Sequence, residues 1–349
     1  MRTDFVTLTN ESANFVKGKP MSVTRHVKEL IIALLFCAGF VAGPAAGAGA
    51  PAGNDAEQMY STGGAKVCMA CHGSDISQDG RTYKQATPVL QTPHGMKADP
   101  HSPFSQHECE TCHGPSGAHV DSTPAAGQLR TAPGIVFKGP KASSIAARNQ
   151  VCLTCHQNGL RMDWAGSQHQ NSNLACVSCH TIHVTKDPVL VKFTQPDVCF
   201  RCHAEQRALS VQFSHHPIRE GKVVCSDCHN PHGSPGPKLL KEARVTDTCY
   251  GCHAEKRGPF LWEHQPVRED CTNCHNPHGS VNARLLKAKV PFLCLDCHAA
   301  TNDMGGVGVS KKSVAAHSGS LYLYGDRSCL NCHSQVHGSD SPSGSTFFR

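Results

Sequence analysis

Long apolar runs are missing from most of this chain, and so are aromatic side chains. Only 6% of its 349 residues are Phe, Tyr or Trp, and 39% are hydrophobic of any kind. Beyond residue 48 no stretch approaches the roughly 20 apolar residues that a spanning helix needs. That excludes a helical membrane protein from this part of the chain. A conventional core would also be thin for a chain of this length. Something other than side chains must organise it.

One apolar run does exist, from Leu30 to Val41. It follows a basic patch, Arg25-His-Val-Lys28, and precedes Ala46-Gly-Ala48. That is the layout of a secretory signal peptide, and about a dozen apolar residues fall short of a membrane span. Residues 1–48 are expected to be cleaved, with Met21 as an alternative start. Residues 49–349 are then the mature domain. Cys37 leaves with the leader.

What remains is abundant cysteine with none to spare. Of 21 cysteines, the twenty outside the leader all fall in C-x-x-C-H strings. These are Cys68, Cys71 and His72; Cys109, Cys112 and His113; Cys152, Cys155 and His156; Cys176, Cys179 and His180; Cys199, Cys202 and His203. They continue with Cys225, Cys228 and His229; Cys249, Cys252 and His253; Cys271, Cys274 and His275; Cys294, Cys297 and His298; Cys329, Cys332 and His333. We number them motifs 1 to 10. In such a string two thiols on one turn can add to the two vinyl groups of a haem, and the histidine is placed to bind its iron. Zinc sites and thiol redox centres also use C-x-x-C. Neither explains a histidine after the second cysteine ten times over. Ten covalent haem c groups are expected, with no cysteine left for a disulfide or a catalytic nucleophile. The mature residues 49–349 are then one decahaem domain, with two pentahaem halves, about 49–220 and 221–349, as the alternative division.

The second axial ligand is the next question, and His and Met are the usual choices. Met59, Met69, Met96, Met162 and Met304 bear no relation to the motif period. The histidines outside the motifs follow it, with His94, His119, His169, His183, His216, His232, His264, His278, His317 and His337 one to each interval. They are expected to be the distal ligands. Around the first, His101 and His107 compete with His94; around the fifth, His215 competes with His216. Ten six-coordinate irons would leave none open to a substrate.

Gaps from motif histidine to free histidine are long after odd motifs and short after even ones, so the repeat is two haems. Its clearest copies start at Cys152, Cys199 and Cys249. Cys225-Ser-Asp-Cys-His-Asn-Pro-His-Gly-Ser234 returns as Cys271-Thr-Asn-Cys-His-Asn-Pro-His-Gly-Ser280. A histidine three residues after a bound one cannot pass around the porphyrin edge to the opposite face, so His232 and His278 should cap neighbouring haems. The fold expected is a multihaem cytochrome c, mostly irregular coil with a few short α-helices and little or no β. It is an elongated haem wire of two-haem modules, a stacked array by its period. Odd motifs should sit on short helices, as over Pro196 to Arg207, and even motifs in loops. Val120 to Lys141 and Thr301 to Ser313 read as longer excursions.

The formal charge of +6 falls to +4 without the leader. About twenty haem propionates would make the loaded protein acidic where they are exposed. Its arginines and lysines are better read as propionate partners or solvated surface than as a nucleic-acid patch. Trp164 and Trp262 read as packing residues.

These motifs, with Cys249-Tyr-Gly-Cys-His-Ala-Glu-Lys-Arg-Gly-Pro259, Leu261-Trp-Glu-His264 and Arg327-Ser-Cys-Leu-Asn-Cys-His-Ser-Gln-Val-His-Gly338, resemble the MtrA/DmsE-type periplasmic decahaem cytochromes, which include the MtoA proteins of iron oxidisers. The resemblance implies a wire seated in an outer-membrane β-barrel porin of the MtrB or MtoB kind. It would exchange electrons with periplasmic or inner-membrane cytochromes and with a cell-surface multihaem cytochrome or mineral, reducing or oxidising iron outside the cell. The alternatives are a multihaem reductase of the nitrite or hydroxylamine type and a free periplasmic shuttle.

Overall fold

The structure is a computed structural model, and it describes residues 59–78, 81–83, 85–125, 128–290, 292–298, 329–331, 333–342 and 344–348. The leader, Thr301 to Ser313, His317 and Cys332 lie outside the described residues. All described residues belong to the unit Glu57–Arg349.

Each motif folds as one tight turn. The backbone N–H of the motif histidine donates to the carbonyl of the first cysteine, at 2.9 Å in His156, His180, His229, His253 and His333 and within 2.8–3.1 Å in His203, His275 and His298. That bond puts two thiols and an imidazole on a single turn. Odd motifs reach it through short helices, Ala65–His72, Ile145–Leu153, Gln195–Phe200, Val245–Tyr250 and Phe292–Leu295. Local chemistry starts these helices: Ser144 Oγ accepts from Ala147 N, and Pro196 and Asp197 fill a first turn. Even motifs sit mostly in single turns, Cys176–Ser178, Cys225–Cys228, Cys271–Asn273 and Cys329–Asn331, with Cys109–His113 a five-residue helix. One hairpin, Ile76–Gln78 against Arg81–Tyr83, supplies the β-structure among the described residues.

The helix expected over Pro196 to Arg207 is two helices. Gln195–Phe200 and Ala204–Leu209 are separated at His203, whose φ of −92° and ψ of 64° turn the chain. His253 breaks the equivalent segment at φ −103°, ψ 51°. Helices this short are marginal in water without tertiary support.

Side chains supply little of that support. The buried hydrophobic residues among those described are Val89, Phe104, Trp164, Ala175 and Val224, scattered along the sequence. In place of a core there is one continuous cavity of about 6040 Å³, largely apolar in its walls and lined by cysteines and histidines of every motif. That is about 600 Å³ for each of ten motifs, within the about 300–1,000 Å³ of ordinary ligand pockets.

The duplicated string holds successive modules together. Gly279 has φ +155°, and a Cβ built on it would lie 1.9 Å from the carbonyl oxygen of Leu209; Gly233, φ +120°, meets Asp163 O at 2.0 Å. Beside Gly279, Ser280 and Ser214 exchange backbone hydrogen bonds of 2.8 and 3.0 Å. Asn230 Nδ2 donates to Leu160 O at 2.8 Å across the same kind of junction. The loop after an even motif thus rests on the loop after the odd motif three earlier, and only glycine permits the approach. Gly159 also has positive φ, +64°, but faces open space. Gly279→Ala is expected to destabilise the holoprotein by about 1–3 kcal/mol more than Gly159→Ala, whose added methyl meets no neighbour. Thermal melts followed in the haem absorption band, with equal loss in the two variants as the contrary result, check this.

Candidate functional site

Nine of the ten motif histidines face a second histidine across a gap. Ring centroids are 6.3 Å apart for His72 and His119, 6.0 Å for His113 and His183, and 6.0 Å for His156 and His94. They are 6.0 Å apart for His180 and His232, 6.2 Å for His203 and His169, and 6.1 Å for His229 and His278. The last three are His253 and His216 at 6.4 Å, His275 and His337 at 6.2 Å, and His298 and His264 at 6.2 Å. An imidazole nitrogen binds a transition metal at about 2.0 Å, and two such bonds in line put the centroids roughly 6.3 Å apart. Every gap has that width. The tenth motif histidine, His333, lies beside Phe348, centroids 4.7 Å apart.

The partners follow a rule that crosses the sequence. The free histidine after an odd motif faces the motif histidine two motifs on, as His94, His169, His216 and His264 do. The free histidine after an even motif faces the one two motifs back, as His183, His232, His278 and His337 do. His119 has no earlier even motif to serve and faces His72. His183 and His232 therefore stand opposite histidines of other motifs, His113 and His180, and so do His278 and His337.

Competing histidines are elsewhere. His107 stacks on Tyr60 with centroids 3.9 Å apart, and His101 is exposed. His215 Nδ1–H donates to Gln212 O at 2.7 Å, with Nε2 3.6 Å from Glu220. Met59, Met96 and Met162 are exposed. Trp164 is buried edge-on to His232, and Trp262 pairs its backbone with Ser339.

Hydrogen bonds turn the rings the right way. In His119, His169, His216 and His264, Nδ1–H donates to the carbonyls of Thr131, Pro231, Pro277 and Val336 at 2.6–3.0 Å. Among motif histidines, His113, His229, His275 and His333 donate to Ile135, Lys238, Arg284 and Thr346. A bonded Nδ1 fixes the tautomer and leaves Nε2 for the gap. Burial, and after it the charge of the facing ring, holds His72, His183, His232 and His278 below the ordinary imidazole pKa. They stay neutral at pH 7, as a metal-binding imidazole must.

The donors of these hydrogen bonds were visible in the sequence; most acceptors were not. Lys238 and Arg284 take left-handed backbone, φ 54° and 60°, to present their carbonyls. The repeat Lys238-Leu-Leu-Lys241 and Arg284-Leu-Leu-Lys287, which begins nine residues after the motif histidine each time, is the signal that could have found them. The excursion after Val120 is not idle either: Thr131 and Ile135 orient His119 and His113.

Cysteines join the motifs in sequence order. In the free thiol form Cys68 falls to about 7 because it shares a hydrogen bond with Cys109, whose own pKa is pushed up by it. Cys176 and Cys152, Cys225 and Cys199, and Cys271 and Cys249 repeat the contact between first cysteines of an odd motif and the next even one. From even to odd, burial and then the charge of the neighbouring Cys155 raise Cys112, and Cys297 does the same for Cys274. The motifs form an unbroken succession.

The donor set fits haem. Among the described residues no three His, Cys, Asp or Glu side chains converge to hold a bare metal ion; nitrogen donors come as opposed pairs, leaving four equatorial positions to a macrocycle. The paired thiols beside each pair supply its covalent attachment.

Comparison with known proteins agrees. A model of the doubled CXXCH motif matches residues 215–258 and 264–303, the same two-haem period in a frame one motif later than our copies. A model described as cytochrome c-type protein NrfB-like matches residues 109–195. The chain is 31% identical over 153 residues to the cytochrome c-type protein NrfB of Haemophilus influenzae, covering 41% of this chain and 66% of that one. It is 44% identical over 289 residues to the multihaem cytochrome MtrA of Shewanella baltica, covering 83% of this chain and 82% of that one. The chain is a multihaem c-type cytochrome with covalently bound haem, an electron-transfer protein that belongs to the MtrA family.

Proposed function

We propose that the ten motifs hold ten haems, each between two histidines, and that the chain conducts electrons along them from the periplasm through the outer membrane inside a porin. The nine opposed histidine pairs carry this reading. His94, His119, His169, His183, His216, His232, His264, His278 and His337 are the distal ligands in the pairs above, and His317 is left for His333. When bound, haem supplies a one-electron Fe(III)/Fe(II) couple at each pair. The chain's own residues do the rest. Nδ1 hydrogen bonds hold many of the rings in place, and the loops after even motifs bring histidines to face them. Haems held by the nine described pairs would have a protein ligand on each side and no position free for a substrate, which favours a conduit over a reductase.

Family membership supports the setting. An MtrA-like cytochrome exported by its leader works in the periplasm and at the outer membrane, with an MtrB- or MtoB-like porin as its partner. Periplasmic or inner-membrane cytochromes stand at one end, and a surface multihaem cytochrome or external Fe(III) or Fe(II) at the other. Among the described residues no helix is long and apolar enough to cross a membrane, so a helical crossing by this part of the chain is not what joins the two sides.

Three measurements test the reading. The intact mass is expected to show ten haems added to the chain from residue 49, and the oxidised protein only low-spin iron; a high-spin signal at pH 7 would favour the reductase. His232→Met is expected to raise one reduction potential, that of the haem held by Cys176 and Cys179. A change confined to the haem of Cys225 and Cys228 would sink the crossed ligation. In membrane fractionation the protein is expected to stay with an outer-membrane porin, whereas a free shuttle would wash out with the periplasm.

A further inference from the structure

Among the described motif histidines whose Nδ1 is held by a hydrogen bond, His180 differs in its partner; Glu255 Oε1, 3.8 Å from His253 Nδ1, is too far to form one. The carbonyls of Ile135, Lys238, Arg284 and Thr346 serve His113, His229, His275 and His333. His180 donates instead to a carboxylate, Asp187 Oδ2, at 2.7 Å. Asp187 is well placed to stay there. Its side chain is only 11% exposed, and its other oxygen accepts from Thr181 N at 3.2 Å and Val189 N at 3.4 Å, where it caps the turn Pro188–Leu190. The loop from His180 to Asp187 is two residues shorter than those from His229 to Lys238 and from His275 to Arg284, so a side chain stands where they present a left-handed backbone carbonyl.

The opposite ring has no such bond among the described residues, and neither do the rings of His94, His183, His278 and His337. His232 Nδ1 is buried with no hydrogen-bond partner, whereas the distal rings of His119, His169, His216 and His264 donate to carbonyls. Among the described residues this pair has a carboxylate hydrogen-bonded behind one ring and no hydrogen bond behind the other.

We propose that Asp187 is a potential-setting residue: through His180 it stabilises the oxidised iron of the fourth haem and makes that haem harder to reduce than a carbonyl partner would. A carboxylate accepting Nδ1–H gives the imidazole partial anionic character, and an anionic ligand favours Fe(III) over Fe(II). His232, unsupported at Nδ1, adds no matching pull from the other side. An electron arriving from the third haem or the fifth, Fe(III) becoming Fe(II) as it arrives, then meets a step whose height Asp187 sets. Asp187 acts on the iron only through His180, so it is a positioning residue. The inference rests on the proposed pairing of His180 with His232 about one iron.

Asp187→Asn tests it. Asparagine keeps the shape and the cap of the turn and still accepts from Nδ1, but without charge. In a redox titration followed by electron paramagnetic resonance, one haem is expected to show about a tenfold higher ratio of reduced to oxidised form at fixed ambient potential, with the other nine unmoved. It must be the haem that His232→Met shifts. Should the asparagine variant fail to load all its haems, Asp187→Ser, which also caps the turn but is too short to reach His180, reads the same step. A loaded variant with all potentials unchanged, a shift spread over several haems, or a shift at a haem other than that of His232 overturns the proposal. If His232→Met itself moves the haem of Cys225 and Cys228, it is the ligand pairing that fails and not the role of Asp187.

Discussion

Two imidazoles facing each other across about 6 Å do not attract one another, and burial has already lowered the pKa of several of them. Nothing in the polypeptide explains why His180 and His232 should hold that separation, or why the same gap recurs nine times. A planar group bound on both faces does explain it, and most of the architecture follows from that one demand. The motif turn sets two thiols and a histidine on one edge. The second histidine must come from elsewhere, because the chain cannot round the macrocycle in three residues. The loop that brings it must then lie close on its neighbour, which is what Gly233 and Gly279 allow.

Because the cavity replaces the core, ordinary rules of packing are inverted. Leu190, Phe193, Phe213 and Val281 are largely exposed, and the helices are too short to stand alone. Polar contacts between backbone groups, such as Ser214 with Ser280 and Trp262 with Ser339, do the joining that apolar side chains do elsewhere. The positions that look weakest as protein structure, the left-handed Lys238 and Arg284, are those that orient a ring.

Much of this could be read from residue order. The motif turn, the two-haem period and the coil-rich fold follow from spacing, and the sequence choice of His94 over His101 and His107 coincides with the ring brought opposite His156. The break at His203 was hidden because helix-forming residues, Ala204 to Leu209, continue past it. The acceptors behind the rings were hidden for a different reason. Thr131, Ile135, Pro231 and Pro277 act through carbonyls, and every residue has one. Which carbonyl is used depends on loop path, and loop path here is set by a group the alphabet does not write down. Among the described residues, Asp187 is the one such acceptor that acts through a side chain, and in the sequence it looked like any turn residue before proline.

The crossing of the partners has a bearing on biosynthesis. For His156 and His203 the facing histidine, His94 or His169, is made earlier in translation. For His113, His180 and His229 it comes later, in His180's case about fifty residues later, after two further motifs have emerged. On the proposed pairing, a newly made chain cannot then complete the sites of motifs 2, 4, 6 and 8 one at a time. It must carry each incomplete until the next pair of motifs has arrived. Covalent attachment suits such an order, since a thioether keeps its occupant while the last ligand is awaited, and a reversibly held group in a half-built site would be free to leave or to take the wrong histidine.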